Sequence, residues 1–447
     1  MSKRIVIIGG VSGATVAAQI RRKDREADIT LFDKGEEIAF SNCGMPYFLG
    51  DIVDEREKLL VSSESFSEKH HVDVRLNTKV SRINRKNKTY QFKNESGTFT
   101  ENYDKLILAP GASPITPNIK GMQWENVFVL RTIPDMDEMQ AYIDRQQPKS
   151  VAIIGAGFIG LEMAENLSGI GLECNIVDRS SQVMKLVDVD MATMIQEHME
   201  EKGVRFFLKD GLESFSDGGT TLHLNSGASI HADMTILAVG IQPNTSLAKD
   251  ASIELGMKET IRVNEYMQTN DPDIYALGDA VQIKDFHNDK PRHVALAGPA
   301  HRQAYIIAMH LAGEAVPYTG TIGASIFKVF DLTVAVSGNT EKVLQEYGYQ
   351  YKSTILNGFE HAGYYPGSQK LTLKILFDAK TGIIYSAQVI GFGGVDKRHA
   401  VLATAMKGNM TVYDLAGLEL AYAPPYSSPK DPINLLGYKA IAQMERL

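Results

Sequence analysis

"SVAIIGAGFIGLEMAENLSGIGLECNIVDRS", residues 150–180, decides how the rest of this 447-residue chain is read. Residues 151–154 are a short unbroken apolar run, as in a strand covered on both faces. Gly155, Gly157 and Gly160 follow in GxGxxG spacing, then a helical stretch, then a second apolar run ending on Asp178, about 20 residues past the turn. Gly155 permits the tight turn, Gly157 lets backbone approach a pyrophosphate, and Gly160 lets helix lie against strand. An acid at the place of Asp178 accepts a ribose 2′-OH and repels a 2′-phosphate. The adjacent Arg179 softens that repulsion by pairing with phosphate. The reading is NADH, with NADPH accepted.

The pattern occurs twice. "RIVIIGGVSGATVAAQIRRKDREADITLFDK" (4–34) runs strand, Gly turn, helix, strand, and its second strand ends on Asp33. Its loop keeps Gly9, Gly10 and Gly13 but has Val11 and Ala14 where the full motif carries its second and third Gly. Each copy later reaches a β-run closing in a Gly turn: "YDKLILAPGA" (103–112), with Gly111, and "ADMTILAVGI" (232–241), with Gly240. "TNDPDIYALGDA" (269–280) brings Gly278 and Asp279 to the end of a further β-run. A carboxylate there takes the hydroxyls of a sugar-like chain. Beside two dinucleotide folds, Asp279 is read as the residue that holds a flavin's ribityl chain.

Bulk properties exclude several classes. A 44 % hydrophobic, 22 % charged composition is that of a globular protein of two or three domains. The net charge of −8 argues against nucleic-acid binding. No run approaches the ~18 apolar residues of a membrane span. The N-terminus enters a strand without the apolar core of a signal peptide, so a cytoplasmic protein is expected. Two cysteines, Cys43 and Cys174, make neither a disulfide framework nor a Cys-rich metal site, and no metal is expected.

In order, "GGVSGA", Cys43, "LILAPGA", "GAGFIG", "TILAVGIQPN" and "YALGDA" resemble the flavoprotein pyridine nucleotide–disulfide oxidoreductases, over essentially the whole chain. The resemblance implies an α/β fold class. Two Rossmann-like dinucleotide-binding domains, one for FAD (1–112 and 241–319) and one for NAD(P)H (113–240), precede a C-terminal α+β dimerisation domain (320–447) of a homodimer. It assigns cofactor contacts to Gly9, Gly10, Gly13, Asp33, Lys34, Asn42, Gly111, Gly155, Gly157, Phe158, Gly160, Asp178, Arg179, Gly240, Gly278, Asp279, Ala297 and Tyr422. Phe158 stands where the family has an aromatic gate over the flavin. In the C-terminal part, "KLTLKILFD" (370–378) and "GIIYSAQVIG" (382–391) have strand-like alternation.

Cys43 sits in "SNCGMPYF" (41–48), at an expected helix start with Pro46 in the first turn. A helix N-terminus raises the thiolate fraction of a cysteine. Family members with an internal disulfide have a second cysteine close by; Cys43 has none, and Cys174, in a strand, reads as a small core residue. The oxidised partner of Cys43 is then an external thiol or an oxygen. NADH peroxidases and water-forming oxidases cycle such a cysteine through sulfenic acid. They carry a His where Ser12 stands and a Ser where Asn42 stands. Coenzyme A disulfide reductases are instead similar to "SNCGMPY", to "GFEHAGYYPGSQK" (358–370) and to "LAYAPPYSSPKDPINLLGYKA" (420–440).

That resemblance implies that Tyr364 and Tyr422 of a partner subunit reach the catalytic Cys43, with Tyr365 and Tyr426 as neighbours. It implies coenzyme A contacts at Thr15, Gln19, Arg22, Asn42, His71, His301, Tyr365, Tyr426 and Lys430. His71 stands where the family can place a Lys, with Lys69 and His70 beside it. The expected activity is reduction of coenzyme A disulfide to two thiols through a Cys43–S–S–CoA mixed disulfide. Three alternatives stay open. One is reduction of coenzyme A persulfide or polysulfide at the same site; such enzymes often add a rhodanese domain with its own cysteine, and none follows Cys174 here. The others are an NADH oxidase or peroxidase using Cys43 sulfenic acid, and an electron-transfer flavoprotein in which Cys43 is incidental.

Overall fold

The computed structural model of the protein describes residues 3–445. They divide into two compact units. The first comprises the chain up to Ile115, Arg131–Asp137 and Gly240–Thr321; the second comprises Thr116–Leu130, Glu138–Val239 and the chain from Ile322 onward.

Five parallel strands form the centre of the first unit, in the order Ile274–Ala276, Lys105–Leu108, Arg4–Ile8, Asp28–Phe32, Asp73–Arg75. Arg4–Ile8 lies in the middle, which is why Ile5, Val6 and Ile7 form an unbroken buried run. The helix Val11–Lys23 follows and turns Gly13, Ala14, Val16, Ala17 and Ile20 inward. A second helix, Ala297–Leu311, packs along it. An antiparallel meander, Lys79–Asn84, Thr89–Asn94 and Gly97–Asn102, is inserted before Lys105–Leu108.

The second unit repeats this plan. Its parallel order is Val127–Phe128, Met234–Leu237, Ser150–Ile154, Glu173–Asp178, Arg205–Leu208. A meander of Leu212–Ser216, Thr221–Leu224 and Ser229–His231 again precedes the strand that returns beside the first. The duplication therefore reaches beyond the Gly loops into the insertions. The same unit holds a five-stranded antiparallel sheet, ordered Ser325–Val329, Leu332–Gly338, Ile384–Gly391, Lys370–Asp378, Tyr351–Phe359. Helices Val395–Lys407 and Pro432–Met444 pack on it. Among the described residues no helix is long and apolar enough to cross a membrane.

The alternation expected in 370–378 takes a different form. Every residue from Leu371 to Phe377 is buried, polar ones included. The reason is that the face carrying Lys374 is not solvated. Lys374, 2 % exposed, meets Asp188 at 3.0 Å, Asp190 at 2.8 Å and Glu341 at 2.7 Å. Gln388 on the adjacent strand donates to Asp188 at 2.7 Å, and the Glu341 N–H donates to its other oxygen at 2.8 Å. A buried cation is tolerable because carboxylates surround it. Burial is the largest single effect and works to lower its pKa, but the hydrogen bonds and charge of the carboxylates together raise it. This network ties the start of helix Val189–Glu201 to the C-terminal sheet.

Lys374→Met leaves the Asp188 carboxylate buried without its cation. Stability is expected to fall by about 3 kcal/mol. A lower urea midpoint at unchanged slope checks this.

Candidate functional site

A Rossmann-type sheet binds its ligand at the carboxyl ends of its strands. In the first unit that edge is shaped by Gly9, which has φ +112° and passes so close to the neighbouring strand that a Cβ would stand 2.0 Å from the Ala109 carbonyl oxygen. Gly10 faces the Asp33 carboxylate, which also accepts from the Gly35 N–H at 2.7 Å. Burial pushes the Asp33 carboxyl up, opposed by the N–H groups of Gly35 and Gly10 and the charge of Lys34, which is itself exposed. A half-buried carboxylate of this kind is a strong acceptor for ribose hydroxyls.

Arg131 draws three further segments to the same edge. Its guanidinium donates to the Asp279 carboxylate at 2.7 Å and to the Ala112 carbonyl at 3.0 Å, and its carbonyl accepts from the Asn42 amide at 3.3 Å. The Gly278 N–H donates to the buried Gln303 at 2.8 Å, and Ser12 lies beside Gly278. Gly111 and Gly240 flank one short antiparallel ladder, in which Ala112–Pro114 pairs with Ile241–Pro243. Ala297 is exposed at the start of the helix that carries Gln303. These residues fit FAD: a backbone cradle, an acid for the ribose, and an Arg-oriented Asp279 for the ribityl chain. Sequence reading missed Arg131, because a single basic residue after a short strand carries no local signal.

Cys43 occupies the centre of a 3₁₀ turn, Asn42–Gly44, and the α-helix Met45–Leu49 starts directly after it with Pro46 in its first turn. The Gly44 N–H closes the turn on the Ser41 carbonyl at 2.8 Å, and the thiol is exposed. Cys174 is the opposite case. It is 3 % exposed, its sulfur points at the Ala164 carbonyl, and burial pushes its pKa up to about 12.

Thr15, Gln19 and Arg22 share the outer face of helix Val11–Lys23. Next to them Arg21 fixes the end of helix Ser63–His70, donating to the carbonyls of His70 at 2.9 Å and His71 at 2.7 Å. Burial first, and then the charges of Lys69 and Arg22, hold His70 below the usual histidine range. Arg22, Lys69, His70 and the exposed His71 therefore form one basic edge. His301 is exposed at the start of the second turn of Ala297–Leu311.

In the second unit Gly155 repeats Gly9: its φ is +118° and a Cβ would stand 2.3 Å from the Ala238 carbonyl oxygen. Gly160 packs against Gly155, while Gly157 has nothing within 4 Å of a Cβ position, leaving its backbone approachable. Asp178 accepts from the N–H groups of Ala156 at 2.8 Å and Ser180 at 2.7 Å, and from the Ser180 hydroxyl. Burial works to raise its pKa, but these bonds and Lys185 hold it below the carboxylate range. Arg179 is exposed, its stem lying along Gly211. Phe158 meets Phe327 edge-on, with ring centroids 5.2 Å apart. Glu162 lies one turn beyond Phe158 on the same helical face; burial and then the charge of Glu165 push it up to about 7. Glu165 itself pairs with Lys328. The spacing of Phe158 and Glu162 was the signal by which this acid was findable.

Tyr364 and Tyr422 sit on separate loops of the second unit with hydroxyls 3.2 Å apart, and this hydrogen bond raises the Tyr422 pKa. Tyr364 is 75 % exposed; Tyr365, Tyr422 and Tyr426 are exposed beside it. Lys430 lies over the ring of Tyr438 at 5.8 Å. Cys43 belongs to the first unit and all four tyrosines to the second.

Comparison with known proteins agrees with this architecture. The family model described as pyridine nucleotide-disulphide oxidoreductase matches residues 3–304, and that of the family's dimerisation domain matches residues 324–431. The chain is 39 % identical over 443 residues to a coenzyme A disulfide reductase of Staphylococcus haemolyticus, covering 98 % of this chain and 99 % of the relative. The crystal structure of reduced Bacillus anthracis CoADR-RHD superposes with a TM-score of 0.98 at 45 % identity, covering 100 % of this chain and 81 % of that one. An NAD-dependent persulfide reductase from A. fulgidus gives 0.96 at 32 % identity, covering 99 % and 84 %.

The two thiols are expected to differ sharply in reactivity. In the reduced, folded protein a thiol-alkylating reagent modifies Cys43 and leaves Cys174 unmodified until the chain is unfolded, as peptide mapping by mass spectrometry will show.

Proposed function

The chain belongs to the pyridine nucleotide-disulphide oxidoreductase family, and from that premise we propose that it is an NAD(P)H-dependent, FAD-containing coenzyme A disulfide reductase. The observation that carries this reading is the exposed Cys43 in the turn that Arg131 ties to Asp279. With no second cysteine close by in the sequence, Cys43 has no internal disulfide to form, so its oxidised state is a bond to an outside sulfur or to oxygen. Ser12 and Asn42, standing where the peroxidases and oxidases carry His and Ser, favour sulfur. Residues 1–112 and 241–319 form the FAD-binding domain, 113–240 the NAD(P)H-binding domain and 320–447 the dimerisation domain.

The Cys43 thiolate attacks one sulfur of coenzyme A disulfide. The S–S bond breaks, a Cys43–S–S–CoA bond forms, and the first coenzyme A leaves and takes up a proton. Bound FAD supplies the two-electron relay between nicotinamide and sulfur. Two electrons from NAD(P)H cleave the mixed disulfide, restoring the Cys43 thiolate and releasing the second coenzyme A. One disulfide, one NAD(P)H and one proton thus yield two thiols and NAD(P)⁺. Asp178 binds the ribose hydroxyls of NADH, and Phe158 gates the nicotinamide side. Thr15, Gln19, Arg22 and His71 bind the phosphorylated end of coenzyme A, a role that suits their basic edge.

Tyr364 and Tyr422 donate hydrogen bonds to the leaving coenzyme A thiolate, from the partner subunit of a homodimer. The exposed aromatic surface of Tyr364, Tyr426, Phe359 and Tyr438 supports covering by a second copy. A cytoplasmic setting, where thiols stay reduced, suits this chemistry. Reduction of a coenzyme A persulfide at the same site is the second reading, favoured by the likeness to the A. fulgidus enzyme; comparing turnover of the two substrates separates them.

Mass spectrometry of the untreated protein is expected to find a coenzyme A adduct on Cys43 that reductant removes. Cys43→Ser is expected to keep its yellow flavin and lose essentially all disulfide turnover. Near wild-type turnover in that variant would remove the sulfur from the mechanism.

Refolding Cys43→Ser subunits together with Tyr364→Phe/Tyr422→Phe subunits tests the shared site. Each parent is expected to be impaired, and the mixed dimer to regain activity at the one site that lacks neither group. No recovery, with heterodimers seen by native mass spectrometry, would place the tyrosines within their own chain.

A further inference from the structure

Arg398 lies in the first turn of helix Val395–Lys407 and is 1 % exposed. Both facts are unfavourable. A helix N-terminus repels a cation, and a buried guanidinium must be fully compensated. What it binds lies on two loops far apart in the chain. Its Nη2 donates to the Glu360 carbonyl at 2.6 Å, the Tyr426 carbonyl at 3.2 Å and the Asp431 carboxylate at 3.0 Å. Asp431, 3 % exposed at its side chain, also accepts from the Ser427 hydroxyl at 2.6 Å and from the Ile433 N–H at 3.0 Å. Around Glu360 the loop is closed by His361, whose ring bonds the Glu360 carboxylate and the Tyr365 carbonyl. Gly394 makes the fit possible: at φ +63°, a Cβ there would stand 2.2 Å from Nη1 of Arg398.

Four residues beyond Glu360 is Tyr364; four residues before Tyr426 is Tyr422. One guanidinium therefore spans the bases of the two loops whose tyrosine hydroxyls meet at 3.2 Å. We propose that Arg398 is a positioning residue for disulfide reduction, holding the Tyr364 and Tyr422 loops in the one arrangement that brings both phenols to the leaving thiolate. The inference rests on the role given above to those tyrosines. All the contacts to the two loops come from one nitrogen, Nη2, at the far end of the side chain, and Nε has no hydrogen-bond partner among the described residues, so it is the reach of the guanidinium that lets one residue hold both loops.

Arg398→Lys keeps a cation but is shorter and withdraws the donor from both loops, and the isosteric Asp431→Asn loosens the same anchor should the first variant not fold. Either is expected to remain a dimer and to keep the wild-type rate of flavin reduction by NADH in a single turnover without disulfide. Steady-state turnover with coenzyme A disulfide is expected to fall by about 10-fold or more, the scale of misplaced catalytic groups. Adding Tyr422→Phe to either variant is expected to cost little more, because a phenol already displaced has nothing left to lose. Wild-type turnover in the folded variants overturns the proposal. So does a parallel fall in flavin reduction, or losses that multiply in the double variant. Tyr364→Phe/Tyr422→Phe in the wild-type background separates the premise. If that protein is unimpaired, the tyrosine role fails and the positioning role with it; if it is impaired while the Arg398 variant is not, only the positioning role fails.

Discussion

A buried parallel strand that must turn into a helix beneath its neighbour's carbonyl has almost no room, and most of this protein follows from meeting that constraint twice. Gly9 under Ala109 and Gly155 under Ala238 are the two solutions, each with positive φ and no space for a Cβ. Turning there aims helix N–H groups at the strand ends, where pyrophosphate binds. The acid that ends the next strand then bonds the same loop, Asp33 toward Gly10 and Asp178 to the Ala156 N–H. Cradle and proposed ribose acceptor are thus one mechanical unit in each half.

The two acids are tuned in opposite directions. Asp33, with burial dominant, is shifted up; Asp178, with two Ser180 bonds and Lys185 added, is shifted down. An acid that stays charged discriminates between a ribose hydroxyl and a phosphate, because only the charged form repels the phosphate. Ser180, which donates to Asp178 from both its N–H and its hydroxyl, also orients the carboxylate on which the proposed preference for NADH rests. The same contrast separates the thiols: exposure and a turn leave Cys43 accessible, while burial makes Cys174 inert.

The second unit relies on buried cations. Lys374 gathers three carboxylates from two segments, and Arg398 gathers carbonyls and Asp431 from two loops. Buried charges are costly to desolvate and therefore demanding in geometry. That demand suits a domain whose proposed task is to present two phenols in a defined position.

Local pattern carried much of the architecture. Gly spacing and apolar runs identified both parallel sheets, since a turn between adjacent strand and helix is made by neighbours in the chain. The polar, turn-like setting of Cys43 marked it as the accessible thiol. The meander repeats, the loss of alternation around Lys374, and the parts played by Arg131 and Arg398 were not legible. Arg131 meets Asp279, Lys374 meets Asp188, and Arg398 meets Glu360 and Asp431 across long stretches of chain. No periodicity records such pairs. By itself, the sequence determined the folds that bind dinucleotides and the accessible sulfur; only tertiary structure decided which buried charges hold the loops within each unit, because those partners meet only when the sheets have packed.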